Sequence, residues 1–232
     1  MPLQIQYRLV GDVAVVNCNG RIVAGNETQS LQEQLGMAMR EAPVVVAHLG
    51  EVAFIDSSGL GMLVRLLTSA RSRGGDLKLC AVPEMISKTL RMTNLHTVFE
   101  TYASDADAIA SAYQRRQPVP TDTAEHSPTV LCFDESADVL AYVRELLRRA
   151  GYNVVTTRML PDAQVLLKAT RPSLIVLGPR VVKVRDKNTQ ELFGRIAPKV
   201  PVFVLSENFS TQDPGEAGML LLEQVRQMHS GQ

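Results

Sequence analysis

The chain of 232 residues has no tryptophan, only 5% aromatic residues and just three cysteines. Cys18, Cys80 and Cys132 are far apart and lie mostly in apolar runs such as Lys78-Leu79-Cys80-Ala81-Val82. An odd, scattered set offers neither a disulfide framework nor metal-ligand spacing, and reads as buried thiols in a reducing compartment. The four histidines, His48, His96, His126 and His229, are equally isolated, so no metal site is expected. Net charge is also missing. The 24 basic residues balance 24 acidic ones, and residues 1–116 hold 11 of each. Nucleic-acid binding normally leaves a clustered basic excess, so nucleic acid is not expected as a partner. No stretch approaches the length of a membrane span and the first residues have no apolar signal core, so a cytoplasmic protein with no membrane partner is expected. No Gly-rich phosphate loop, Ser–His–acid order or paired His ligands occur, so neither a cofactor nor enzyme chemistry is expected.

What is present is organised in two halves. Residues 116–128 contain Pro118, Pro120 and Pro128 in an otherwise polar segment. Proline is barred from helix interiors and central strands, so this segment reads as an extended linker between domains at 1–115 and 129–232. The first half opens with strand-like runs at Leu3–Val10 and Val13–Cys18, joined by the hairpin signal Gly11-Asp12 and ended by Asn19-Gly20. A helix follows from Asn26 to about Ala42, then the apolar run Val44–Leu49, as for a buried strand. A second helix carries Leu60, Leu63, Val64 and Leu67 and stops at Gly74-Gly75. Leu77–Val82 reads as a strand, Pro83 opens a helix to about Thr93, Val98–Tyr102 is a short strand, and Asp105–Tyr113 a closing helix. The expected fold class is α/β, with a mixed sheet and packed helices. In the second half, apolar strands at Val130–Phe133, Tyr152–Thr156, Leu174–Leu177 and Val202–Leu205 alternate with helices, the last from about Gly215 to Met228. This alternation implies a parallel, doubly wound sheet.

Asp56-Ser57-Ser58-Gly59 stands where a strand hands over to a helix. Three of these residues are good N-caps, and Gly59 and Gly61 permit a tight turn. The same position suits a phosphorylated hydroxyl, because a helix start accepts anionic oxygens and a phosphate would add about −1.5 to −2 charges. Gly20, Val44–Leu49, Phe54-Ile55-Asp56-Ser57-Ser58-Gly59-Leu60-Gly61, Gly74-Gly75-Asp76-Leu77-Lys78-Leu79 and Leu95-His96-Thr97-Val98-Phe99 occur in one order. In this, residues 3–115 resemble the STAS domain of bacterial anti-sigma factor antagonists. The resemblance implies phosphorylation at Ser57, with Ser58 the neighbouring alternative, by an anti-sigma factor that is itself a serine kinase of the histidine-kinase-like ATPase type. It implies that the unmodified form binds this kinase, that phosphorylation releases it, and that a serine phosphatase reverses the change. Asp56, Ser58, Gly59, Leu60 and Gly61 match the family's docking loop and helix start.

The second half is similar to a response-regulator receiver domain of flavodoxin-like fold. The likeness rests on Thr129-Val130-Leu131-Cys132-Phe133-Asp134-Glu135, on Leu146–Val154, on Arg171-Pro172-Ser173-Leu174-Ile175-Val176-Leu177 and on Pro201–Ser206. Asp134 and Glu135 occupy the acidic-pair position and Ser206 the hydroxyl position, while Gly178 stands where the family has its phosphoacceptor Asp. Glycine has no nucleophile, so the likeness implies a pseudo-receiver that serves association, either a homodimer or a second docking surface. As bare residues, Asp134 and Glu135 read as a capped or solvated helix start. The basic run Arg180–Lys187 reads as a solvated loop or edge strand, with an anion or partner contact as the alternative. Three functions remain: an anti-sigma factor antagonist, a STAS scaffold in another two-component or chemosensory pathway, and a phosphorylatable receiver driving a STAS output.

Overall fold

The computed structural model describes residues 1–114, 127–184, 188–206, 209 and 214–230. The chain divides into two compact units, Met1–Arg116 and Gln117–Gln232. The proline-rich segment lies, as far as residue 126, outside the described residues.

The first unit runs β1 (Gln4–Val10), β2 (Val13–Ile22), α1 (Asn26–Glu41), β3 (Val44–Ile55), α2 (Ser57–Ser72), β4 (Asp76–Cys80), α3 (Glu84–Met92), β5 (Thr101–Tyr102) and α4 (Asp105–Gln114). Its five strands form one mixed sheet in the order β1-β2-β3-β4-β5. The hairpin β1–β2 is antiparallel and the remaining pairs are parallel. Helical spacing puts Leu31, Leu35 and Ala38 of α1 on one face, and Leu60, Leu63, Leu67 and Ala70 of α2 on another. Both faces join Val45, Ala47, Leu49, Leu77 and Leu79 of the sheet in a single buried cluster.

Two strands are longer than their turn residues suggest. Asn19-Gly20 does not end β2, because register shifts between Asn17 and Asn19 and between Gly20 and Arg21 absorb the irregularity as bulges. Gly20 holds φ at 114°, and a Cβ there would lie 2.5 Å from the Pro2 carbonyl oxygen, so only glycine lets the strand continue. β3 likewise runs unbroken through Gly50-Glu51. The two parallel strands therefore finish level, with Ile22 paired to Ile55. Their outgoing loops are delivered side by side. Elsewhere the expected strand at Val98–Tyr102 shrinks to Thr101–Tyr102, because Leu95–Thr97 form a 3-10 turn and Phe99 enters the core. Pro83 caps α3 rather than opening it.

The second unit runs β6 (Thr129–Phe133), α5 (Ala137–Arg149), β7 (Asn153–Thr157), α6 (Leu160–Thr170), β8 (Leu174–Leu177), α7 (Pro179–Val184), α8 (Asn188–Ile196), β9 (Val202–Val204) and α9 (Pro214–Ser230). Its sheet is wholly parallel in the order β7-β6-β8-β9. Among the described residues no strand follows β9. The basic run expected as a loop or edge strand begins instead as α7, with Val181 buried, while residues 185–187 lie outside the described residues. No described helix is long and apolar enough to cross a membrane.

Lys78, in the middle of β4, is 1% exposed. Its three N–H donors find three acceptors: the Glu100 carboxylate, the Tyr102 hydroxyl at 3.2 Å and Ser111 Oγ at 3.4 Å. Removing one partner of a buried pair costs about 3–5 kcal/mol, because the other charge stays behind uncompensated. Glu100 is itself a quarter exposed. The Asp76 carboxylate, 3.8 Å from Lys78 Nζ, still offsets part of the charge, so Glu100→Ala is expected to lower the unfolding free energy by about 3 kcal/mol, the low end of that range. The double change Lys78→Met, Glu100→Leu should cost clearly less than Glu100→Ala alone. Urea unfolding of both variants checks this, and equal or additive losses would contradict it.

Candidate functional site

The level ends of β2 and β3 bring Ala24 and Asp56 together. Asp56 is the N-cap of α2, with extended backbone at φ −94° and ψ 179°. Its Oδ1 accepts the Gly59 amide at 2.8 Å, and its Oδ2 accepts the Ala24 amide at 2.9 Å. The Asp56 amide donates to the Ile22 carbonyl, and its carbonyl accepts from the Leu60 amide. One residue thus fixes the start of α2 and the loop that leaves β2. The Gly59 and Ala24 amides, joined by the Ser58 amide and the charge of Arg21, hold the Asp56 carboxyl below the usual carboxylate range.

The residues singled out in the sequence fall into two layers around this anchor. Ser57 and Ser58, the first two residues of α2, are exposed, and Asp56 and Gly61 are half-buried. Gly59 and Leu60 are buried and shape the site from beneath. A Cβ on Gly59 would lie 2.5 Å from the Ile22 carbonyl oxygen and 2.8 Å from side-chain carbons of Ile22 and Ile55. Gly61, by contrast, has nothing within 4 Å of an added Cβ. Of the first-turn amides of α2, those of Gly59 and Ser58 face the Asp56 carboxylate.

Sequence reasoning passed over a neighbour of this loop. Phe54 is 41% exposed, and the Arg21 guanidinium stands 5.3 Å from its ring centroid. The available signal was an aromatic residue two places before the capping Asp, at the end of a strand whose alternation is broken. The three cysteines have no part in the site. Burial pushes each thiol up to about 12, so they stay protonated and unreactive at neutral pH.

In the second unit a carboxylate also occupies the loop after a strand. Asp134 follows β6 and is fully buried. Its Oδ1 accepts the Ser136 amide at 2.6 Å and its Oδ2 accepts the Arg180 amide at 3.0 Å. The side-chain cap of α5 is Ser136, not Asp134 or Glu135. Glu135 is half-buried and uses its backbone carbonyl to accept Arg158 Nε at 2.9 Å. Gly178 lies directly under Asp134: a Cβ there would lie 2.1 Å from Asp134 Oδ2. Ser206 is exposed just beyond β9. The space that a side chain at 178 would need is filled by Asp134 itself.

Residues 4–108 match the STAS domain. The anti-sigma F factor antagonist of Paenibacillus polymyxa is 24% identical over 110 residues, which are 47% of this chain and 94% of that protein. The transcriptional regulatory protein PrrA of Mycobacterium tuberculosis is 35% identical over 94 residues, and the match spans 40% of each chain. Among solved structures, the Bacillus cell fate determinant SpoIIAA in its phosphorylated form is 16% identical, covering 47% of this chain and 98% of that one at a TM-score of 0.39.

Within the first unit, the cap makes a testable contribution. Asp56→Ala should lower the unfolding free energy by about 1 kcal/mol, the usual value of an N-cap. Because the native carboxyl titrates below the unfolded one, the native state binds fewer protons, and this stability is present above about pH 4 and lost as pH falls through the native value. The gap between wild type and Asp56→Asn should therefore narrow on acidification. A pH-independent gap in urea unfolding would contradict the assignment. In the second unit, Gly178→Ala should cost about 1–3 kcal/mol through overpacking against Asp134. A neutral Gly178→Ala in the same assay would show that the loop has room there.

Proposed function

We propose that the chain is a non-enzymatic, cytoplasmic signalling adaptor that regulates transcription as an anti-sigma factor antagonist. Its STAS unit docks an anti-sigma factor that is also a serine kinase of the histidine-kinase-like ATPase type while Ser57 is unmodified, and lets go once Ser57 carries phosphate. A serine phosphatase restores the docking form. The observation that carries this reading is the exposed Ser57 hydroxyl next to an Asp56 carboxylate already bound to the amides of the helix start. A phosphate on Ser57 would find those amides taken and stay at the surface. It would take the first half, balanced at 11 charges of each sign, to about −2. Like-charge repulsion from Asp56 and the desolvation of a dianion would both oppose an interface formed there. The name of the Paenibacillus relative supports the same reading.

For the second unit we favour a pseudo-receiver that serves association, through a homodimer or a second docking surface. The parallel order β7-β6-β8-β9 is the order 2-1-3-4 of flavodoxin-like sheets without a fifth strand, which supports the fold. Gly178 beneath Asp134 supports the loss of aspartyl phosphorylation, and weighs against a receiver that drives the STAS unit. Similarity to PrrA keeps a second reading in play, a STAS scaffold within a two-component or chemosensory pathway.

A pull-down with wild type, Ser57→Ala and Ser57→Asp, with recovered proteins identified by mass spectrometry, tests the proposal. Ser57→Ala should retain a histidine-kinase-like ATPase that Ser57→Asp loses. Identical partner sets would overturn the switch. Recovery of sensor kinases or chemoreceptor components in its place would assign the chain to the second reading.

A further inference from the structure

Away from Ser57, helices α1 and α2 leave between them an open groove of about 700 Å3. Its apolar floor is the half-buried Met39 with the outermost atoms of the otherwise buried Met62 and Leu66, and Arg40, Arg65 and Arg73 stand along it. A further 240 Å3 continues past Met39, Arg40 and Arg73 toward Pro43 and Gly75. All three arginines are exposed, and among the described residues none has an acidic partner; Arg65 meets only the Met62 sulfur at 3.9 Å. Glu33 is the one carboxylate lining the larger cavity. Glu41 lines the smaller cavity, so three arginines face two carboxylates and the groove keeps an excess of positive charge over its apolar floor.

Gly36 adds an independent observation. It lies in the interior of α1 and lines the groove, and a Cβ there would meet nothing within 4 Å. Glycine inside a helix costs about 1 kcal/mol relative to alanine, and no neighbour here demands it. Its effect is to leave a notch in the groove wall. The arginines, meanwhile, are too far spread for a single anionic headgroup: Arg65 and Arg73 are eight residues apart on α2, about 12 Å along the axis.

We infer that this groove docks an acidic amphipathic helix of a partner protein. Its apolar side chains rest on Met39, Met62 and Leu66, with one entering the notch at Gly36. Its carboxylates, a turn or two apart, pair with Arg40, Arg65 and Arg73. The thioethers suit such a surface because methionine adapts to differing side chains. This inference does not rest on the Ser57 switch, since the groove begins beyond the first turn of α2 and contains none of the loop held by Asp56.

The test uses the full chain with methyl-labelled methionine and a synthetic amphipathic helix with leucine on one face and glutamate on the other. Saturable shifts of the Met39 and Met62 methyls, with Met85 and Met92 of α3 unmoved, are expected. Arg65→Glu with Arg73→Glu should weaken binding about tenfold or more while leaving the melting temperature unchanged. Gly36→Leu should weaken it comparably, and added salt should weaken it in wild type. An equal response to a scrambled peptide or to a lysine-for-glutamate peptide would overturn the inference, as would undiminished binding by the variants. Dodecanoate shifting the same methyls where the peptide does not would give the groove to a small anionic amphiphile. A concentration-dependent dimer in sedimentation that Arg65→Glu abolishes would give it to a second copy.

Discussion

The Asp56 carboxylate, shared between the Gly59 and Ala24 amides, is the interaction on which the first unit's surface depends. Its energy is modest. A cap is worth about 1 kcal/mol against a total stability of about 5–15 kcal/mol for a typical domain. Its importance is positional. It closes the helix start onto the end of β2, so Gly59 and Leu60 turn inward while Ser57 and Ser58 turn outward. In the switch proposed above, a change at Ser57 alters the charge of this surface and leaves its shape alone.

The second unit uses a similar device to a different end. Asp134 also stands after a strand and also accepts two backbone amides, one from its own loop and one from the first turn of α7. There the carboxylate is buried and presses on Gly178, with no hydroxyl beside it in the open. One carboxylate therefore fixes a loop with two exposed serines, and the other is packed over a glycine. The residues next to each Asp make the difference: two exposed serines in one unit, and a half-buried glutamate with a buried capping serine in the other.

Much of this was legible in the sequence because caps, glycines and apolar spacing act locally. Asp56 reads as an N-cap from its position alone, and the buried stripe of α2 is evident from Leu60, Leu63 and Leu67. What could not be read depends on partners distant in the chain. Asn19-Gly20 looks like a strand end, yet bulged pairing with β3 carries β2 onward to Ile22. Lys78 looks like a break in an apolar strand, but Glu100, Tyr102 and Ser111 make its burial tolerable. The packing of Gly59 and Leu60 against Ile22 and the core could not be read from their motif. Arg180–Val184 looks like a loop because a helix of six residues carries almost no periodicity.

The central claim is that phosphate at Ser57 changes the charge of a surface that Asp56 has already fixed. Phosphoserine installed at position 57 of the full chain, compared with the unmodified protein by amide chemical shifts, tests this most directly. Perturbations confined to the ends of β2 and β3 and the first turn of α2 are the predicted result. Shifts spreading through α2 and the sheet, or melting of the helix start, would contradict it.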